Sequence, residues 1–349
     1  IIPTYIPQKP NELPMFFERR PYQGASGKVY PIPYADGISD EKSDVAYTVY
    51  TLENQYIKTQ VLPAIGGKIY RGYDKIGDYD FIYYNEVIKP ALVGLAGPWI
   101  SGGIEFNWPQ HHRPTTFMPL EAVIEHNANG ETVWVGEVEP MNRMKAMAGI
   151  TLDEGRSYIK AKVRVYNRTE LPQVFMWWAN LAVPVNESYR TVFPPDVEWV
   201  NDHDRRAVLS WPIAHGLYKT ARPYDFGKGT DISRYSAIKV PSSYLVSQGQ
   251  SDMDFVSGYD ESIEKGIVTV ADHHISPGKK MWHWGTGDFG DMWCQNLTDK
   301  NGPYIELMTG VYTDNQPDFT WIAPFETRTF EQFWYPVRDI GIVKNATID

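Results

Sequence analysis

The sequence predicts an all-β protein, a large antiparallel sandwich, on three observations. Short runs rich in Val, Ile, Tyr and Thr recur from residue 44 onward, bounded by Gly, Asp, Asn and Pro. One of them, RSYIKAKVRVYNRT, alternates cleanly: Ile159, Ala161, Val163 and Val165 on one face, Tyr158, Lys160, Lys162, Arg164 and Tyr166 on the other. That is the pattern of a half-buried antiparallel strand. No segment keeps a helical apolar period over three or more turns, and no long repeat is visible.

In chain order, residues 1–40 are Pro-rich and weakly periodic, and are read as an extended N-terminal arm packing on the main body. Residues 41–349 are read as one β domain. DVAYTVYTLEN, YIKTQVLP, GKIYRGYDK and DFIYYN open it as strands. AVIEHNANGETVWVGEVEP reads as a hairpin turning at Asn129-Gly130. PQVFMWWANLAVPV, GIVTVADHHI, YIELMTGVYT and TRTFEQFWYPV supply later strands. Many short strands with Gly and Pro turns and almost no helix point to a sandwich or barrel.

Composition narrows the function. The net charge is -10 with no basic tract, which argues against nucleic acid. No apolar run has the length of a membrane span, so no membrane partner is expected. The start, IIPTYIPQKPNELP, lacks the features of a signal peptide and does not begin with Met, consistent with a processed or excised chain. Either bacterial cytoplasm or periplasm fits. The single cysteine, Cys294, excludes an internal disulfide and a cysteine metal cluster, and in DMWCQN it reads as a small buried apolar residue. Aromatic content is 14%, with 12 Trp and 23 Tyr. Trp and Tyr pair an apolar face with a polar tip, which suits the faces and hydroxyl edges of sugar rings, and also suits a large β core.

Four segments concentrate chemistry. GGIEFNWPQHHRP holds Glu105, Asn107, Trp108, His111, His112 and Arg113. Strand alternation puts Ile104 and Phe106 on one side, Glu105 and Asn107 on the other. PYIELMTG places Glu306 between Ile305 and Leu307 in the same way. An acid among apolar neighbours tends to a raised pKa, which suits acid–base work; each could equally be a satisfied partner of an arginine. The third segment, TDNQPDFTW, offers Asp314, Asn315, Asp318 and Trp321 in turn chemistry. In the fourth, MWHWGTGDFGDMW, Trp282 and Trp284 share a strand face with His283 opposite, as a sugar platform or as core.

Other chemistries find no pattern. Neighbours on a strand point to opposite faces, so His111-His112 and His273-His274 are poor metal pairs, and no metal site is expected. There is no GxSxG elbow, phosphate loop or GxGxxG, so no cofactor is expected.

ADHHISPGKKMWHWGTGDFGDMW followed by YIELMTGVYTDNQPDFTWIAPFETRTFEQFWYPV resembles the galactose-mutarotase-like superfamily. More closely, with PMFFERRPYQGASGKVYP and VLPAIGGKIY, the chain resembles an uncharacterised bacterial domain family often fused to tetratricopeptide repeats. The resemblance implies a β-supersandwich of large, mostly antiparallel sheets with a sugar cleft on a concave face. It also implies carbohydrate as partner, with helical repeats in a longer parent protein. In the epimerases of the superfamily a late strand supplies a Glu base ahead of a Pro-Asp turn. Glu306, ahead of Gln316-Pro317-Asp318 and then Ala323-Pro324-Phe325, matches it. The epimerase acid is a His following an Asn-Leu pair. Here Asn180-Leu181 match, but the acid position falls near Pro184. His111, His112 or Glu105 would have to replace it. The expected function is therefore a carbohydrate-active enzyme working at a glycosidic or anomeric centre. Glycoside hydrolysis is expected, with Glu105 as acid and Glu306 as base. Epimerisation and a non-catalytic binding module are the alternatives. Asn107, His111, His112, Arg113, Asn180, His273, Asp314, Asn315 and Asp318 would orient hydroxyls, with Trp108, Trp178, Trp282 and Trp321 as stacking surfaces.

Overall fold

A computed structural model describes residues 1–6, 32, 35, 37–109, 112–128, 130–202, 207–218, 223–247, 249–311 and 319–340. Two antiparallel sheets dominate, one of eight strands and one of 11. The predicted alternation holds where it is cleanest: in Ile159–Tyr166, Ile159, Ala161, Val163 and Val165 are fully buried while the residues between them are not. That strand pairs with Lys145–Thr151 on one side and Thr327–Arg338 on the other.

The core lies between the sheets. Ile104, Phe106, Trp177, Ala179, Leu181, Ile305 and Leu307 of the larger sheet meet Ala161, Val163, Phe330 and Trp334 of the smaller. Phe106 stacks on Trp177 with ring centroids 5.6 Å apart and touches Trp334 at 6.4 Å. Because side chains alternate along a strand, this apolar face obliges Glu105, Asn180 and Glu306 to share the other face of the larger sheet. The expected phase of Glu105 against Ile104 and Phe106 is thus observed.

Several local expectations differ. DFIYYN is not a strand beyond Tyr79–Asp80, because the Phe81 and Ile82 amides both turn to the Gly72 carbonyl. DHHI, read as strand continuation, is a turn after Lys265–Val270. A ten-residue helix, Asp288–Leu297, interrupts the all-β pattern, with Asp288 and Asp291 in its first turn where the helix dipole favours acids. It is too short, and too broken by Gly290, to show an apolar period. Its Cys294 is only partly buried, and burial raises the thiol pKa. The expected N-terminal arm falls largely outside the described residues; at its start, Ile2–Tyr5 pairs with Lys42–Val45. Asn129 of the expected hairpin turn also lies outside them, while the flanking strands Glu121–Asn127 and Gly130–Val138 do pair. Among the described residues, no helix is long and apolar enough to cross a membrane.

One backbone feature sets the entry to the Glu105 strand. Gly103 has φ +70°, and a Cβ there would lie 2.1 Å from the Ile69 carbonyl oxygen. Its amide donates to Tyr83 and its carbonyl accepts from Ala182, both at 2.9 Å. Gly103→Ala is therefore expected to destabilise the protein by about 2 kcal/mol, read as a lowered urea midpoint with an unchanged m-value.

Candidate functional site

Antiparallel register assembles the site from four strands. Glu105 of Ile104–Asn107 lies opposite Asn180 of Trp177–Pro184. Asn180 lies opposite Met308 of Tyr304–Val311, and Met308 opposite Lys280 of Gly278–His283. Two residues along the same face, Glu306 sits between Ala182 and Trp282. Directly opposed residues share a face, and Asn180, Met308, Lys280, Glu306 and Trp282 of this row form the floor of a cleft. His112 and Trp178 also line it, and Val93, Trp99 and Trp284 complete the walls.

Glu105 lies behind that lining. Its Oε2 accepts from the Trp99 indole at 2.9 Å, His112 Nδ1 at 3.0 Å and Asn180 Nδ2 at 3.4 Å. The Thr116 hydroxyl donates to Oε1. Burial alone would favour the neutral acid, but His112, the Lys68 ammonium and Thr116 overcome it and hold the carboxyl far below its usual range. Glu105 is thus a fixed anion, and it commits His112 Nδ1 to the donor role. As a proton donor to substrate, its expected role, it has neither the proton nor a face on the cleft.

Glu306 is the opposite case. Burial, reinforced by the Glu105 charge and opposed by His112, Lys280 and a hydrogen bond from Asn180, pushes it up to about 7. The Tyr304 hydroxyl donates to its Oε1 at 3.3 Å. It is the one carboxyl among the described cleft-lining residues, and it changes charge near neutrality. Two further polar atoms of the lining, Trp178 Nε1 and Asn180 Oδ1, are buried without a hydrogen-bond partner. Groups in that state are met by ligand or water.

Several expected contacts fall elsewhere. Trp108 is buried in the core beneath the loop, not in the cleft. Arg113 is also interior: it donates to the Gly66 carbonyl at 2.6 Å, pairs with Glu137 at 2.9 Å and lies over the Trp108 ring. Asn107 is fully buried and accepts from the Arg113 amide at 3.0 Å, so it pins the loop that carries His112. His273 lies outside the cleft lining, in the turn, with its Nδ1 2.8 Å from Asp254. There the strand argument against paired histidines does not apply, and the His273 and His274 rings stand 3.9 Å apart, beside Asp272. Trp321 is more than half exposed on the short strand Thr320–Ile322 and does not line the cleft. His111, Asp314, Asn315 and Asp318 lie outside the described residues.

Trp99, Thr116, Lys68 and Lys280 were missed. Trp99 sits in GPWI without a polar neighbour, and the lysines in GGKIY and GKKMWHW read as solvent-facing strand positions. The only signal was that each lysine alternates with core residues.

A family model described as a domain of unknown function, DUF5107, matches residues 25–337. The chain belongs to that family. Its fold is galactose-mutarotase-like. A TPR-domain containing protein from Parabacteroides distasonis superposes with a TM-score of 0.83 at 21% identity. The match covers 100% of this chain and 56% of that one, so the chain spans little more than half of its relative. A galactose mutarotase-like protein from Lactobacillus casei gives a TM-score of 0.55 at 9% identity, covering 83% of this chain and 100% of that one. Another from Clostridium acetobutylicum gives 0.55 at 10%, covering 85% and 98%. At these identities the likeness speaks for the fold.

The raised Glu306 makes a stability prediction. Between its ordinary 4.5 and about 7, the folded protein keeps a proton that the unfolded chain has released. Stability should therefore fall as pH rises through that window and level off above it. Glu306→Gln removes the buried charge, so it should stabilise the protein at pH 8 by up to about 3 kcal/mol, and much less at pH 5. Urea melts of both proteins at the two pH values check this.

Proposed function

We propose that the cleft binds a sugar ring and exchanges protons at its anomeric centre, as an aldose epimerase does. The observation that carries this reading is that Glu306 and His112 line one tryptophan-walled cleft, with His112 backed by the Glu105 anion. The Glu306 carboxylate takes the proton of the anomeric hydroxyl. The C1–O5 bond breaks, its electron pair passes to O5, and O5 takes a proton from His112. Rotation about C1–C2 and reclosure on the other face returns both protons. The Glu105 carboxylate balances the charge of His112 while that ring carries two protons. Trp178 Nε1 and Asn180 Oδ1, a donor and an acceptor, suit hydroxyls of the same ring, and Trp282 offers it a wall.

In this reading His112 stands in for the acid missing near Pro184. Hydrolysis by a Glu105/Glu306 pair has less support, because that mechanism needs both carboxyls at the glycosidic bond. The likeness to a TPR-domain containing protein supports a second inference, that this domain works beside helical repeats in a longer chain.

Anomer interconversion followed by polarimetry or exchange NMR across an aldose panel tests the reading. Glu306→Gln and His112→Asn should each lower the rate by about 10²–10⁴-fold. In the wild type, kcat/KM should rise with pH up to about 7 as Glu306 ionises. Release of free sugar from aryl glycosides, with no anomer exchange, would favour hydrolysis. Saturable binding with neither activity would favour a binding module.

A further inference from the structure

We propose that Lys68 is a positioning residue of this site: its buried ammonium ties down the turn that joins Trp99 to Glu105 and is the cation shared by the two buried acids, Glu105 and Glu306. The inference rests on Glu306 as the proton-exchanging group.

Lys68 opens the strand Lys68–Asp74, directly after Gly66 and Gly67, and is 4% exposed. In the register of that strand with Ile104–Asn107, Ile69 faces Ile104 in the core. Lys68 and Glu105 therefore neighbour one another on the cleft face. The Lys68 ammonium donates to the Ile100 carbonyl at 2.8 Å and to the Ser101 carbonyl at 3.3 Å. These two carbonyls lie between Trp99 and the Gly102-Gly103 turn, so the cation draws together the segment that aims both the indole and the carboxylate.

Two neutral carbonyls do not compensate a buried ammonium. The anionic groups acting on Lys68 are Glu105 and Glu306. The other charged groups are already placed. Arg113, behind Glu105, pairs with Glu137; His112 gives Nδ1 to Glu105; Lys280 and the Tyr304 hydroxyl approach Glu306. Lys68 acts on both Glu105 and Glu306, whereas Arg113 acts on Glu137 and Glu105. Without Lys68, the turn between Trp99 and Glu105 would lose its tie, and both Glu105 and Glu306 would lose the cation they share.

The test is direct titration of the full chain without substrate. Carboxyl carbon NMR on Glu-labelled wild type, Lys68→Met and Lys68→Arg should show the Glu306 midpoint rising by one pH unit or more in K68M and staying near wild type in K68R. Coupling between two sites is reciprocal. Nitrogen NMR should therefore show the Lys68 midpoint, about 8 in the wild type, falling by half a unit or more in Glu306→Gln. This second arm decides if K68M fails to fold. An unmoved Glu306 midpoint in folded K68M, or an unmoved Lys68 midpoint in Glu306→Gln, overturns the proposal. No sugar is present, so failure of the epimerase reading leaves both measurements intact and is seen separately in the His112 variant's rates.

Discussion

Glu105 holds the site together. One buried carboxylate accepts from an indole, an imidazole, a hydroxyl and an amide that come from three separate stretches of chain. Charge-assisted bonds of this kind are roughly twice as strong as neutral ones, and they act here where water does not compete. Removing the carboxylate would free the Trp99 wall and the His112 loop together. The loop has its own second anchor, since Asn107 and Arg113 tie its ends to the sheet and to Gly66. The site is therefore held from beneath by Glu105 and from behind by an arginine that never meets the cleft.

The two buried acids of this sheet face, Glu105 and Glu306, pull stability in opposite directions. Glu105 is stabilised by its partners and contributes above the ordinary carboxylate range; that contribution is lost as pH falls through its depressed pKa. Glu306 is kept under strain by burial, and its contribution weakens as pH rises. A group held away from its preferred charge state is what proton transfer near neutrality requires. The fold tolerates it because a well-packed sheet surrounds the residue on both sides.

Much of this was legible in the sequence, for physical reasons that also explain the rest. Alternation of apolar residues fixed the face of Glu105 and Glu306, because a strand cannot bury Ile104 and Ile305 without turning those acids the other way. Family likeness pointed to Glu306. Which of the chemical residues reach the cleft was not legible. Trp108 and Arg113 lie within a few residues of His112, yet they go into the interior, because the chain leaves its strand after Asn107 and alternation no longer governs it. The His273-His274 argument failed for the same reason, in a turn. Lys68 stayed hidden because a lysine on a strand is usually a solvated one, and only the fold shows what covers it.

The cleft floor has a further consequence for how such a site changes over time. Its side chains stand on a lattice of four neighbouring strands, with one position every two residues along each. Exchanging a side chain at one lattice point alters the chemistry offered to a ligand while the opposite face, and hence the core, is untouched. Met308, flanked by Asn180 and Lys280, is such a point. A scaffold built this way accepts single substitutions on one face while the core behind it stays the same, which suits a fold whose mutarotase-like members named above share only about a tenth of their residues with this chain.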